Sequence, residues 1–80
     1  MSYRPDWWPN SATLLMLVDD LHAFNTGSSD FDPRTASRYR LALEHVVDNW
    51  KPSNSTYEMI LYLLMRAVLA ETYKRIGDKQ

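Results

Sequence analysis

The chain contains no cysteine and only two glycines, and each shortage removes a class of protein. Without cysteine there is neither a disulfide framework nor a thiol nucleophile. With Gly27 and Gly77 alone, neither a Walker phosphate loop nor a dinucleotide-binding fingerprint can form. A chain of 80 residues that lacks such devices has to gain its stability from the packing of its own core, or from a second copy of itself.

The chain also lacks an excess of charge of one sign and a long apolar run. Nine Lys/Arg against ten Asp/Glu give a formal net charge of −1, so the chain has neither the basic excess of a nucleic-acid binder nor the acidity of a DNA mimic. Its longest nearly apolar stretch, residues 59–70, is interrupted by Arg66 and is much shorter than the roughly 20 residues that span a bilayer. Residues 1–10 carry no signal-peptide pattern. We therefore expect a cytoplasmic protein without a membrane partner.

What the chain does contain is helical periodicity. Apolar residues recur at helical spacing from Leu14 to Phe24, and Asn10 and Ser11 supply capping side chains before them, which predicts a first helix over residues 11–24. Gly27, which can take a positive φ, lies in the polar segment that follows and predicts the end of this helix.

The second helix is predicted over residues 33–50. Asp32 and Pro33 supply an N-cap and a proline at the first helical position, and Pro52 closes the segment. Apolar side chains form one face of this helix: Ala36, Tyr39, Ala42, Leu43, Val46, Val47 and Trp50.

The third helix is predicted over residues 55–76. Ser55 and Glu58 have the spacing of a capping box, in which the Glu58 carboxylate reaches back to the start of the helix, and Gly77 is placed to end it. No segment alternates with the period of a strand. The sequence thus predicts a single all-α domain, an up-down-up bundle of three helices, in which residues 1–10 form an extended aromatic arm.

The third predicted helix is apolar around nearly its whole circumference, which is more than one packing face requires. Either this helix is enclosed within the chain, or its outer face meets another chain, because monomers seldom expose large apolar patches. On the second interpretation the sequence predicts self-association through Tyr62, Met65, Arg66, Leu69 and Tyr73.

The arm holds two of the three tryptophans between prolines. Tryptophan, tyrosine and arginine dominate binding hot spots, so one interpretation is that Tyr3, Trp7 and Trp8 dock on an outside partner. The alternative is that the two tryptophans fold back and cap the open end of their own bundle.

Two Asp/His pairs could suggest a metal site, but the antiparallel register of the first two helices places the His22 and His45 clusters roughly 15 Å apart. We therefore expect no metal, no cofactor and no catalytic residue. The charge of Arg66 within an apolar stretch suggests an ion pair with Asp19 or Asp20, or else a partner-facing position.

The leading hypothesis is thus a small non-enzymatic interaction protein, an adaptor or inhibitor that occupies a surface on a larger protein and acts as a homodimer. The alternative is a small transcription regulator that places the basic start of the second helix, Arg34, Arg38 and Arg40, on DNA. A nucleic-acid partner is disfavoured by the long loop before this helix and by the acidic residues Asp30 and Asp32 beside it.

Overall fold

A computed structural model describes residues 10–28 and 32–76 and shows three α-helices within them: α1 (Ser11–Asn25), α2 (Pro33–Asn49) and α3 (Thr56–Ile76). The predicted all-α, three-helix fold is confirmed, and each helix boundary lies within one residue of its predicted position. The predicted arm lies outside the described residues except for Asn10, whose backbone is extended.

Side chains fix the starts of α1 and α2 as the sequence predicts. The Asn10 side chain accepts a hydrogen bond from the backbone N–H of Thr13 at 3.1 Å. The Asp32 carboxylate accepts one from the N–H of Thr35 at 2.8 Å. Because the first backbone N–H groups of a helix have no partner within it, these two caps determine where the helices begin.

The end of α1 is a Schellman motif built on Gly27. Its φ is +79°, the N–H of Gly27 donates to Phe24 O at 3.1 Å, and the N–H of Ser28 donates to Ala23 O at 2.8 Å. These two hydrogen bonds satisfy two of the last carbonyl groups of the helix, those of Phe24 and Ala23, and they turn the chain toward α2.

The start of α3 differs in part from the predicted capping box. The Ser55 hydroxyl lies 3.5 Å from the Glu58 nitrogen, as expected, but the Glu58 carboxylate accepts from the N–H of Ser53 at 2.8 Å. The N–H of Ser55, the expected donor, instead donates to the Ser53 hydroxyl at 3.2 Å. Glu58 therefore also fixes the turn that precedes α3.

The core lies along the axis between the three helices. The α1 and α3 helices run parallel, since His22 contacts Glu71 near their carboxyl ends while Leu15 and Leu64 line the same groove further toward their amino ends. All three helices supply buried apolar side chains: Leu14, Leu17, Leu21, Phe24, Ala36, Leu43, Val46, Leu61, Met65, Val68 and Leu69.

Candidate interaction surface

The packing of α3 divides its apolar residues into an inner and an outer set. Leu61, Met65 and Val68 repeat every three or four residues and are buried, and Thr72 continues the same line. The hydroxyl of Thr72 donates to Val68 O at 2.8 Å, which satisfies this buried polar group within the helix. One face of α3 thus completes the core shared by the three helices.

A second line on α3 has the same spacing but lies outside the core. We call it the outer stripe: Tyr57, Ile60, Leu64 and Ala67, all exposed. Intervals of three, four and three residues place side chains on one face of a helix, as in a coiled-coil seam. Large side chains on and beside the stripe have high exposed fractions: Leu15 38%, Tyr57 50%, Ile60 52%, Leu63 59% and Leu64 44%.

Beside the outer stripe, α1 and α3 form an open groove. Leu15 and Val18 of α1 face Leu64 and Ala67 of α3 across it. Its carboxyl-terminal end is polar: His22 Nδ1 lies 3.4 Å from Glu71 Oε1, and the amide nitrogen of Asn25 lies 3.5 Å from the same oxygen. Asp19 also lines the groove. The surface is therefore apolar along most of its length and acidic at one end.

On the opposite side of α3, a half-buried polar cluster joins it to α2. The Tyr73 hydroxyl donates to Glu44 Oε2, and Arg40 Nη1 donates to the same oxygen at 2.9 Å. The Arg40 guanidinium also lies 5.7 Å from the centroid of the Tyr73 ring. The Glu44 carboxylate thus accepts from two donors, and the Arg40 cation lies beside the Tyr73 ring. These contacts join α2 to α3.

The structure separates the residues predicted for self-association. Met65 and Leu69 lie in the core, and the Tyr73 hydroxyl bonds Glu44, so their main contacts are within the chain. Tyr62 is half-buried. Helical periodicity could not distinguish these residues from the outer stripe, because α3 is apolar nearly all round and several of its faces have the same three-four spacing. No signal within α3 separates them; the positions of α1 and α2 do.

Arg66 is exposed, and its hypothetical ion pair with Asp19 or Asp20 is wrong. Its guanidinium lies 5.9 Å from the centroid of the Tyr62 ring. Arg66 lines the groove between α2 and α3, whereas Asp19 lines the groove between α1 and α3. The cause is the helical rotation between Leu64 and Arg66, which turns positions only two residues apart toward different neighbouring helices.

The other predicted contact residues fall into two groups. Tyr3, Trp7 and Trp8 lie outside the described residues. Of the basic residues at the start of α2, Arg34 and Arg38 are exposed, but Arg40 is paired with Glu44. The three arginines therefore do not form one free basic face.

Among residues 10–28 and 32–76, two carboxyl groups have a shifted pKa, and both shifts come from hydrogen bonds at the start of a helix. The backbone N–H of Thr35, followed by its side-chain hydroxyl, lowers the pKa of Asp32 below its ordinary value of 3.8. The backbone N–H of Ser53, followed by its side-chain hydroxyl, lowers the pKa of Glu58 below 4.5. These hydrogen bonds stabilise the ionised forms and serve the helix ends.

Residues 10–28 and 32–76 bring together no group of three or more His, Asp or Glu side chains that could hold a metal ion. Over the same residues, no helix is both long and apolar enough to cross a membrane. The fold and the surface define a three-helix bundle with an uncovered apolar stripe beside a groove. No family model, curated protein or solved structure matches the chain.

Proposed function

We propose that this chain is a small non-enzymatic interaction protein, an adaptor or inhibitor that acts as a homodimer and occupies a surface on a larger protein. The observation that supports this proposal is the outer stripe of α3. Its side chains are exposed although the inner face of the same helix already completes the core. Exposing apolar surface to water is unfavourable, and a contiguous exposed patch usually marks an interface.

The size of this patch fits a protein interface. The exposed fractions of the outer stripe and of Leu15 and Leu63 beside it correspond to roughly 500 Å² per chain, the size of the largest apolar patch on a typical monomer, which is often a functional surface. A standard interface buries about 800 Å² on each partner, and about 56–65% of that area is apolar. The patch therefore supplies about the apolar area that one standard interface requires.

We propose that the aromatic segment that precedes α1 binds the larger protein. Tyr3, Trp7 and Trp8 have the composition of a binding hot spot and lie outside the described residues. Because α1 and α3 run parallel, α1 begins at the same end of the bundle as Tyr57 and Ile60. Replacing Trp7 by alanine is expected to abolish binding of the larger protein while the dimer and the circular dichroism spectrum stay unchanged.

A DNA-binding regulator is the second candidate, supported by the exposed Arg34 and Arg38 on α2. The pairing of Arg40 with Glu44 weakens it, because a guanidinium committed to a carboxylate neutralises less phosphate charge. Retention of the protein on duplex DNA at low salt, and its loss in Arg38→Ala, would favour the regulator over the interaction protein.

Light scattering after size exclusion, run over a range of protein concentrations, tests the proposal. We expect the wild type to form a dimer and Leu64→Glu to raise its dissociation constant about 100-fold or more, because two charges would enter the interface. Leu41→Glu is the matched control, since Leu41 is an exposed leucine, 56% accessible, on α2. A wild type that stays monomeric would refute the proposed dimer, and a dimer that both variants weaken equally would refute the outer stripe as its interface.

A further inference from the structure

We infer that the occupant of the outer stripe is the outer stripe of a second copy, lying antiparallel to it, with Tyr57 of each chain against Ala67 of the other and Ile60 against Leu64. This inference rests on the proposed function, because it specifies how the proposed dimer is built. In this dimer the outer stripes of the two chains form four layers of facing residues, and a two-fold axis relates these layers in pairs.

The spacing of the stripe fixes this register. In an antiparallel pair of helices the positions of two facing residues have a constant sum, and successive layers alternate between the two seam positions. A constant sum of 124 pairs residue 57 with 67 and residue 60 with 64, and the two-fold axis repeats both pairs. Every member of the outer stripe then has a partner. Because the contact is two-fold symmetric, the stripes of both chains are covered and assembly stops at the dimer.

Side-chain volumes agree with this register. The largest member of the stripe, Tyr57, faces the smallest, Ala67, and the similar side chains of Ile60 and Leu64 face each other. Alternation of large and small residues across a seam fills space without voids. In a parallel pair each residue would face its own copy, so two alanines would leave a gap while two tyrosines crowded each other.

The Glu71 carboxylates disfavour the parallel orientation. Glu71 lies four residues after Ala67, at the next position of the same seam, and its side chain is 54% exposed. A parallel pair would place the two Glu71 carboxylates opposite each other. The antiparallel pair instead keeps the two Glu71 carboxylates apart. Each then faces residue 53 of the other chain, at the amino end of α3, where the helix dipole favours negative charge and the Ser53 N–H already holds the Glu58 carboxylate.

Side chains beside the stripe extend the contact. Leu15 of α1 lines one flank through the groove, and Leu63 and Ala70 are exposed on the other. These residues widen the seam into a face of two helices, so the dimer resembles a four-helix arrangement made from α1 and α3 of each chain. Asp19 and His22 remain at the polar end of the groove.

Cysteine cross-linking tests the register directly, because the natural chain contains no thiol. Tyr57→Cys and Ala67→Cys change exposed residues, and each protein would be oxidised alone and as an equimolar mixture. The mixture is expected to give a cross-linked heterodimer, identified by intact mass. Each variant alone is expected to give little, because its two thiols lie ten residues, about 15 Å, apart along the seam, beyond the reach of a disulfide.

The pair Ile60→Cys and Leu64→Cys has the same constant sum and replaces the first pair if Tyr57→Cys weakens the dimer. Its thiols in either variant alone lie only four residues, about 6 Å, apart along the seam, so here the mixture is expected to cross-link faster than either variant alone. Light scattering on the reduced proteins shows whether a dimer is present. A dimer in which Ala67→Cys alone cross-links readily, or in which neither mixture does, overturns the register and leaves the proposed homodimer standing.

A monomeric wild type overturns the register and the proposed homodimer together. If a variant without residues 2–9 then dimerises, the occupant of the outer stripe is the chain's own amino-terminal segment. If the monomer stays monomeric after this deletion, the stripe has no occupant within copies of this chain.

Discussion

Replacing Tyr73 by phenylalanine removes one hydroxyl from the cluster that joins α2 to α3, and we expect it to lower the free energy of unfolding by about 1–2 kcal/mol. The ring stays in place, so its packing and its contact with Arg40 are retained. What is lost is a hydrogen bond to the charged carboxylate of Glu44. Such bonds are worth about 1.5–3 kcal/mol when buried, and the 27% exposure of the Glu44 side chain lowers that value, since water replaces part of the interaction.

Urea denaturation followed by circular dichroism measures this loss, with all variants at one protein concentration because association adds to apparent stability. In a domain of this size, 1 kcal/mol corresponds to about 4–8 °C in melting temperature. Tyr62→Phe is the control: Tyr62 is a half-buried tyrosine on the same helix whose hydroxyl has no hydrogen bond within the described part of the chain. We expect it to change stability by less than about 0.5 kcal/mol.

A double-mutant cycle with Glu44→Gln decides whether the hydroxyl acts through Glu44. If it does, removing the hydroxyl is less destabilising in the Glu44→Gln background, with a coupling energy of about 0.5–1 kcal/mol. Equal destabilisation by Tyr73→Phe in both backgrounds would refute the reasoning, because the hydroxyl would then be independent of the carboxylate.

Three further predictions concern the core, a helix cap and a turn. Leu21→Ala, at a fully buried site, is expected to destabilise the protein by about 2–5 kcal/mol in urea denaturation, against less than about 0.5 kcal/mol for the exposed Leu41→Ala; similar losses at both sites would contradict the core described above. Because folding lowers the pKa of Asp32 below 3.8, its contribution is complete above that pH and is lost as the pH falls through 3.8 and the folded pKa. Thermal melts between about pH 6 and pH 2.5 are therefore expected to show a smaller loss of stability in Asp32→Asn, which keeps the cap without the charge, and identical pH profiles would remove this assignment. Gly27→Ala is expected to cost about 1 kcal/mol through its positive φ alone, since an added Cβ meets no atom within 4 Å; an unchanged melting temperature would argue against this turn.

Local signals in the sequence were sufficient for the helices and for most of the core. Asn10, Asp32 and Gly27 act within four residues of the helix ends that they determine, so their effect does not depend on the rest of the fold. Periodicity likewise identified the buried faces of α1 and α2, because apolar residues recur along them at helical spacing, although α1 also exposes Leu15 and Met16 outside its buried face.

Only the tertiary structure decided which face of α3 is free. The sequence of this helix is apolar on nearly all sides, so periodicity alone predicted contact roles for Met65 and Leu69, which the fold buries, and not for Ile60 and Leu64, which it leaves exposed. Likewise, Tyr73 contacts Arg40 and Glu44 from a position 33 and 29 residues further along the chain, and local sequence carries no information about this contact. Which face of α3 is buried depends on how α1 and α2 approach it. A helix that is apolar all round can bury any of its faces, and its neighbours determine which one.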